Sequence, residues 1–216
     1  MMQHETEPAW MVRGLDRLPV LPGETLAGRY RIERVLGARG MGIVLAARDT
    51  TTRERVAIKL LNPTSARPVD VARFRLEAEL LASLESAQVA RVHEIGELDG
   101  IPYLVMDYFD GPTLADLLRE RGRLSVELAV ECLLDICRVL GEVHDPRIVH
   151  RDVKLENLIV VDEAAGTSMR LIDFGIAKSL DAPPLEPPES WVGWPRYMAP
   201  EQLHGDAELG QRAGIW

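Results

Sequence analysis

From Tyr30 to Leu61 the sequence alternates apolar and polar residues with a period of two. RYRIERVLG leads into GARGMG, IVLAARD resumes the alternation, and TTRERVAIKLL follows a polar turn at Asp49–Thr52. Side chains on a strand point alternately to opposite faces, so three such runs with short links fold as an antiparallel meander. Its first connection is rich in glycine. Glycines turn tightly and let backbone N–H groups approach a phosphate, although a glycine-rich hairpin taken alone is more often only a hairpin. A dinucleotide-binding turn would open a helix directly. Here a strand follows, which excludes that fold.

The rest of the chain changes period. Phe74, Ala78, Leu81 and Leu84 form one stripe of a helix from about Val69 to Leu84. RVHEIGEL and IPYLVMDY read as two strands joined by Asp99-Gly100, a strong hairpin signal. Beyond them the pattern is mainly helical. A short helix covers Pro112 to Arg121, and a longer one starts at Val126, with Ser125 as N-cap and Glu127 in its first turn. Ala129, Val130, Leu133, Ile136, Cys137 and Leu140 follow at helical spacing, and the helix ends near His144, before Asp145-Pro146. IVHRDVKLENLIVV and MRLIDFG supply two short strands. Residues 181–190 hold four prolines and form an irregular loop. Residues 1–28 read as a poorly ordered leader broken by Pro8, Pro19 and Pro22.

With 46% hydrophobic and 27% charged residues, the 216-residue chain is neither disordered nor collagen-like. Its 25 Lys+Arg against 34 Asp+Glu give a net charge of −9. That balance argues against nucleic acid as a partner, while leaving room for a local basic pocket. Cys132 and Cys137 sit five apart on one helix and do not make a disulfide framework, so a reducing compartment is expected. The N-terminus has no apolar signal-peptide core, and no run reaches the ~20 apolar residues of a membrane span. A cytoplasmic protein is the resulting expectation.

Several side chains stand where burial makes them costly. Lys59 ends VAIK inside an apolar strand, with Ala57 on the same face. Glu77 borders the apolar stripe of its helix, whereas Glu79 falls on the exposed side. A core-facing carboxylate wants a cation, and Lys59 is available. The run IVHRDVKLENLIV gathers His150, Arg151, Asp152, Lys154 and Asn157 between two apolar segments. Asp152 could take a proton from a hydroxyl. Lys154 could neutralise charge on a transferring group, and Asn157 could bind a hard cation through its carbonyl oxygen. Asp173 follows an apolar strand and precedes Phe174-Gly175, as a metal-binding aspartate or a turn aspartate would.

In order along the chain, GARGMGIV, VAIK, HRDVKLEN, DFG and APE (Ala199-Pro200-Glu201) resemble the signature set of the protein kinases, most closely the bacterial eukaryote-like serine/threonine kinases. The resemblance covers about Tyr30 to Trp216. It implies an α+β, bilobal protein-kinase-like fold: a leader at 1–28, an N-terminal antiparallel sheet with one helix at 29–107, and an incomplete, mainly helical C-terminal lobe at 108–216. It implies ATP and Mg²⁺ as cofactors and a protein Ser/Thr hydroxyl as acceptor. Leu36 would bind the cofactor, and Gly37, Ala38, Arg39, Gly40, Met41, Gly42, Ile43 and Val44 would cover the phosphates. Lys59 would hold the α- and β-phosphates and pair with Glu77. Met106 would be the gatekeeper, and Asp107 to Phe109 would receive the adenine edge. Val44, Ala57 and Ile159 would sandwich the ring. Asp152 would orient or deprotonate the hydroxyl, Lys154 would touch the γ-phosphate, and Asn157 and Asp173 would hold Mg²⁺.

The sequence departs from that pattern at four places. Arg39 replaces the second glycine of the loop. Trp194 stands where the family has a threonine near the catalytic aspartate, and an indole cannot imitate a hydroxyl. Gly214 stands where an aspartate braces the HRD backbone. The chain stops at Trp216, before further helices of the large lobe, so a partner covering the apolar face of Val130, Leu133, Ile136 and Leu140 is expected. Ser190 is the better-placed hydroxyl for phosphorylation in the loop after DFG. A serine/threonine protein kinase is the expected function; Trp194, Gly214 and the early stop favour the alternative, an ATP-binding pseudokinase or regulatory module.

Overall fold

The computed structural model describes residues 19–39, 42–62, 67–163, 166–181, 195–204 and 210–214. Gly40, Met41, Ser190, Trp194 and residues 1–18 lie outside them. Two compact units emerge, one made of residues up to Val71 with Val92–Tyr108, the other of Ala72–Arg91 with residues from Phe109 onward.

The first unit is a sheet in the order β1-β2-β3-β4-β6-β5. Its strands are β1 (Thr25–Leu26), β2 (Tyr30–Arg39), β3 (Gly42–Asp49), β4 (Arg55–Leu61), β5 (Val92–Leu98) and β6 (Ile101–Asp107). All neighbours are antiparallel. The expected meander is β2-β3-β4. Asp99 and Gly100 both take positive φ (49° and 83°), so the β5–β6 hairpin closes in two residues, as the Asp-Gly signal requires.

Register decides which face each residue joins. Ile43, Leu45, Ala47, Val56, Ile58, Leu60, Tyr103 and Val105 share one face and form the core with Tyr30 and Ile32. The leader expectation is corrected here for residues 19–28. Val20 and Leu26 belong to this core, and Gly23 N–H donates to Ile32 O while Ile32 N–H donates to Glu24 O, each at 2.9 Å. Burial of two apolar side chains holds the segment in spite of its prolines.

Two buried phenols close the sheet. The Tyr30 and Tyr103 hydroxyls donate to the Glu94 carboxylate at 2.6 and 2.8 Å, and Arg29 reaches the same carboxylate at 3.3 Å. Gly96 lies opposite Tyr103, and a Cβ there would sit 2.2 Å from the ring. The ring can cross β5 to Glu94 only because Gly96 has no side chain.

The second unit holds most of α1 (Pro68–Ser83), then α2 (Leu114–Arg121), α3 (Val126–His144) and α4 (Pro200–His204). Its short strands are β7 (Ile148–Val149), β8 (Leu158–Glu163), β9 (Gly166–Leu171) and β10 (Lys178–Ser179). The chain passes into the second unit at Phe109, and Ala72–Arg91 also groups with that unit, because the segment after α1 is tied to β9. Leu171 N–H donates to Gln88 O at 2.9 Å, and Val89 bridges Leu171. Ser125 caps α3 as expected, accepting from Leu128 N–H at 3.2 Å. The shorter helix begins at Leu114 rather than Pro112, because Thr113 is its cap and accepts from Asp116 N–H. On α3, Cys132, Val139, Leu140 and Val143 are buried, while Val126, Val130, Leu133 and Leu134 form an exposed apolar stripe. The face expected to need cover therefore splits: Leu140 is buried, whereas Leu133 is 61% exposed. Cys132 and Cys137 are both free. No helix among the described residues is long and apolar enough to cross a membrane.

Burial, with Glu94 second, pushes the Tyr103 phenol up to about 12. A raised folded-state value means that the network's stability is complete below the ordinary tyrosine value of about 10 and is lost as pH rises from there towards 12. Gly96→Ala should force the ring aside and cost about 1–3 kcal/mol in thermal unfolding. A spectrophotometric titration should show Tyr103 ionising at lower pH in that variant.

Candidate functional site

Each unit carries one set of the expected residues. In the first, the sheet face opposite the core holds Val44, Ala46, Ala57, Lys59, Leu104 and Met106. Val44 pairs with Lys59, Ala46 and Met106 with Ala57, and Leu104 with Lys59. Residues directly opposite on antiparallel strands share a face, so the alternation that buries Ile58 and Leu60 in the core must put Lys59 on the other side. Lys59 is 9% exposed. A Cβ on Gly42 would lie 3.1 Å from Lys59 Cε, so the glycine lets the lysine stem lie against β3. Gly37, Ala38 and Arg39 end β2 and pair with Val44, Ile43 and Gly42. Leu36 is exposed, whereas Ile43 is fully buried in the core. Ile43 can therefore offer a ligand only its backbone.

The second unit brings the polar residues of 150–157 together with Asp173. His150 is fully buried. Its Nδ1 accepts Asp152 N–H at 3.3 Å, which leaves the proton on Nε2 to donate to Ile172 O at 3.3 Å. Its ring meets Phe174 edge-on, with centroids 4.5 Å apart. One imidazole thus fixes both the loop carrying Asp152 and the loop carrying Asp173. Arg151 and Asp173 take the left-handed conformation (φ 63° and 65°), uncommon for residues other than glycine. Arg151 Nε donates to Ile176 O at 2.6 Å, and Arg151 O accepts from Gln202 Nε2 at 3.5 Å.

Asp152 is held on one oxygen only. Its Oδ2 accepts from Asn157 Nδ2 at 2.9 Å and pairs with Lys154. Asn157 Nδ2 also donates to Asp152 O at 2.9 Å. The other carboxylate oxygen, Oδ1, is buried and has no hydrogen-bond partner among the described residues. Burial pushes the Asp152 carboxyl above its ordinary range. Lys154 and Asn157 pull it back, and the nearby Asp173 carboxylate adds to the rise. Because the Asn157 amide nitrogen is committed to Asp152, its Oδ1 is the atom offered to a cation. Asp173 is exposed, with its Oδ1 accepting Gly175 N–H at 3.4 Å.

Glu77 is buried on the helix face it shares with Phe74, Ala78 and Leu81, while Glu79 is exposed. Lys59 belongs to the first unit and Glu77 to the second. In the second unit Ile159 is half-buried on β8, where Thr113 bridges to it, and Phe109 is half-buried too. Sequence reasoning missed Gln202 and Arg170. Arg170 is a cation in the apolar run MRLI, the same signal that singled out Lys59.

Residues 30–216 match the protein kinase domain. The chain is 39% identical over 189 residues to the serine/threonine-protein kinase PknA of Mycobacterium tuberculosis, covering 85% of this chain and 43% of that protein. It is 35% identical over 188 residues to the serine/threonine-protein kinase PknB of Mycobacterium leprae, covering 84% and 30%. It thus spans less than half the length of these curated relatives.

A carboxyl-selective NMR titration should find Asp152 ionising above the ordinary aspartate value of about 3.9. Lys154→Met removes a group that stabilises the anion, so the midpoint should move higher still.

Proposed function

The chain belongs to the protein kinase domain family, and from that premise we propose that it transfers the γ-phosphoryl group of ATP to a serine or threonine hydroxyl of a protein. The observation that carries this reading is the Oδ1 of Asp152, buried and without a hydrogen-bond partner among the described residues. A buried acceptor without a donor costs about 1–3 kcal/mol, and a substrate hydroxyl supplies the missing donor. The Lys154 and Asn157 contacts hold Oδ2, so the carboxylate presents one oxygen in a fixed direction.

The transfer follows from these groups. The acceptor oxygen forms a bond to the γ-phosphorus as the bond from that phosphorus to the β-bridging oxygen breaks, and ADP leaves. The hydroxyl proton passes to Asp152. Lys154 balances charge on the moving phosphoryl group, and Lys59 on the α- and β-phosphates. The backbone of the glycine-rich segment from Gly37 is the group offered to the phosphates. On the first unit, Val44, Ala57 and Met106 and the Asp107–Tyr108 backbone are the groups offered to the adenine; on the second, Ile159 and the Phe109 backbone are.

The Asn157 and Asp173 oxygens fit magnesium, a hard cation that takes few protein ligands and completes its shell with phosphates and water. Bound there, it would offset the phosphate charge that builds up during transfer. The His150 tie keeps the loops carrying Asp152 and Asp173 in register.

Lys59→Met, Asp152→Asn and Asp173→Asn should each lower phosphoryl transfer to a basic protein substrate by at least about 100-fold, read with γ-labelled ATP. Asp152→Asn should retain Mg-ATP binding, since that residue faces the acceptor. Transfer that survives all three changes would show that the activity lies elsewhere. Mg-ATP binding with no transfer by the wild type would make the chain a binding module.

A further inference from the structure

We propose that Arg170 is a positioning residue for nucleotide binding: its guanidinium underpins the Phe109 ring and so fixes the backbone that receives the adenine edge. The inference rests on the adenine placement proposed above.

Arg170 sits on β9 and is only 8% exposed. A buried arginine is expensive unless every donor is used. Here Nη1 donates to Met169 O at 3.1 Å and to Ser168 Oγ, and Nη2 pairs with Glu163. All these partners lie on the same hairpin. An apolar side chain would fill the place without needing any of them. Among the described residues, the contact that leaves the hairpin is with Phe109, whose ring centroid is 5.6 Å from the guanidinium carbon, within range of a cation–π interaction.

The segment after Phe109 is fastened to the same hairpin. Val160 N–H donates to Pro112 O at 2.9 Å, and Thr113 bridges to Ile159, the residue opposite Arg170. Gly111 passes so close that a Cβ would lie 1.9 Å from Val160 O. Backbone bonds therefore hold residues 111–113, and Arg170 holds Phe109 through its ring. The two anchors bracket a short stretch and leave little freedom for the Phe109 backbone.

The test uses the whole chain and two probes, Mg-ATP and Mg-tripolyphosphate, titrated by calorimetry. Tripolyphosphate has no base and does not report on the adenine edge. Arg170→Met should weaken Mg-ATP about 3- to 10-fold and leave tripolyphosphate unchanged. Phe109→Leu should lose a similar factor, and the double variant should be no weaker than either single one, because both remove one interaction. Arg170→Lys, which keeps a cation, should lose less. If Arg170→Met folds poorly, Phe109→Leu and Arg170→Lys carry the same comparison. The inference is overturned if Mg-ATP affinity is unchanged, if both probes weaken alike, or if the two losses add. A wild type that binds neither probe, or binding indifferent to both Lys59→Met and Asp173→Asn, overturns instead the reading of the site on which this rests.

Discussion

The site of the second unit hangs on one buried imidazole. His150 accepts a backbone N–H from the residue after next, donates to a carbonyl 22 residues away and packs against Phe174. With both ring nitrogens committed, its tautomer is fixed and neither loop can shift without breaking a buried hydrogen bond. Everything polar in the site is placed relative to that ring: Asp152 two residues on, Asn157 bonded back to Asp152, and Asp173 between the two residues that His150 touches. The arrangement is precise without a long element beneath it, since β7 has two residues and the run 150–157 contains only a single helical turn.

The first unit solves a different problem, that of carrying a lysine in a nearly buried strand. The period of two does this. Ile58 and Leu60 anchor β4 in the core, and the residues between them are thereby committed to the opposite face. A one-residue slip in β3–β4 pairing would put Lys59 into the core and Ile58 out of it. The hydrophobic pattern that stabilises the sheet is therefore the same pattern that aims the lysine.

What was legible in the sequence was local. The bounds of α3, its Ser125 cap and the Asp99-Gly100 turn depend on neighbours within a few residues, and each appears where spacing and residue type place it. The grouping of His150, Asp152, Lys154 and Asn157 was legible too, because so many polar groups between apolar segments have few other uses. Other features depend on distant parts of the chain and left no local mark. Glu94 serves tyrosines 64 and nine residues away, β1 forms only because β2 offers an edge, and the helix after Val71 groups with β9 through Gln88. Arg170 falls between these cases. The buried-cation argument applies to it as it does to Lys59, but its aromatic partner lies 61 residues earlier in the sequence.

The left-handed backbones of Arg151 and Asp173 set stability and chemistry against each other. Glycine adopts that conformation without the steric cost that a Cβ imposes, and asparagine tolerates it well. A library selected only for folded yield would therefore drift towards glycine or asparagine at these two positions. Its winners would be better behaved in solution and would have discarded a proposed cation ligand, so yield and thermal midpoint are misleading guides when variants of this chain are ranked.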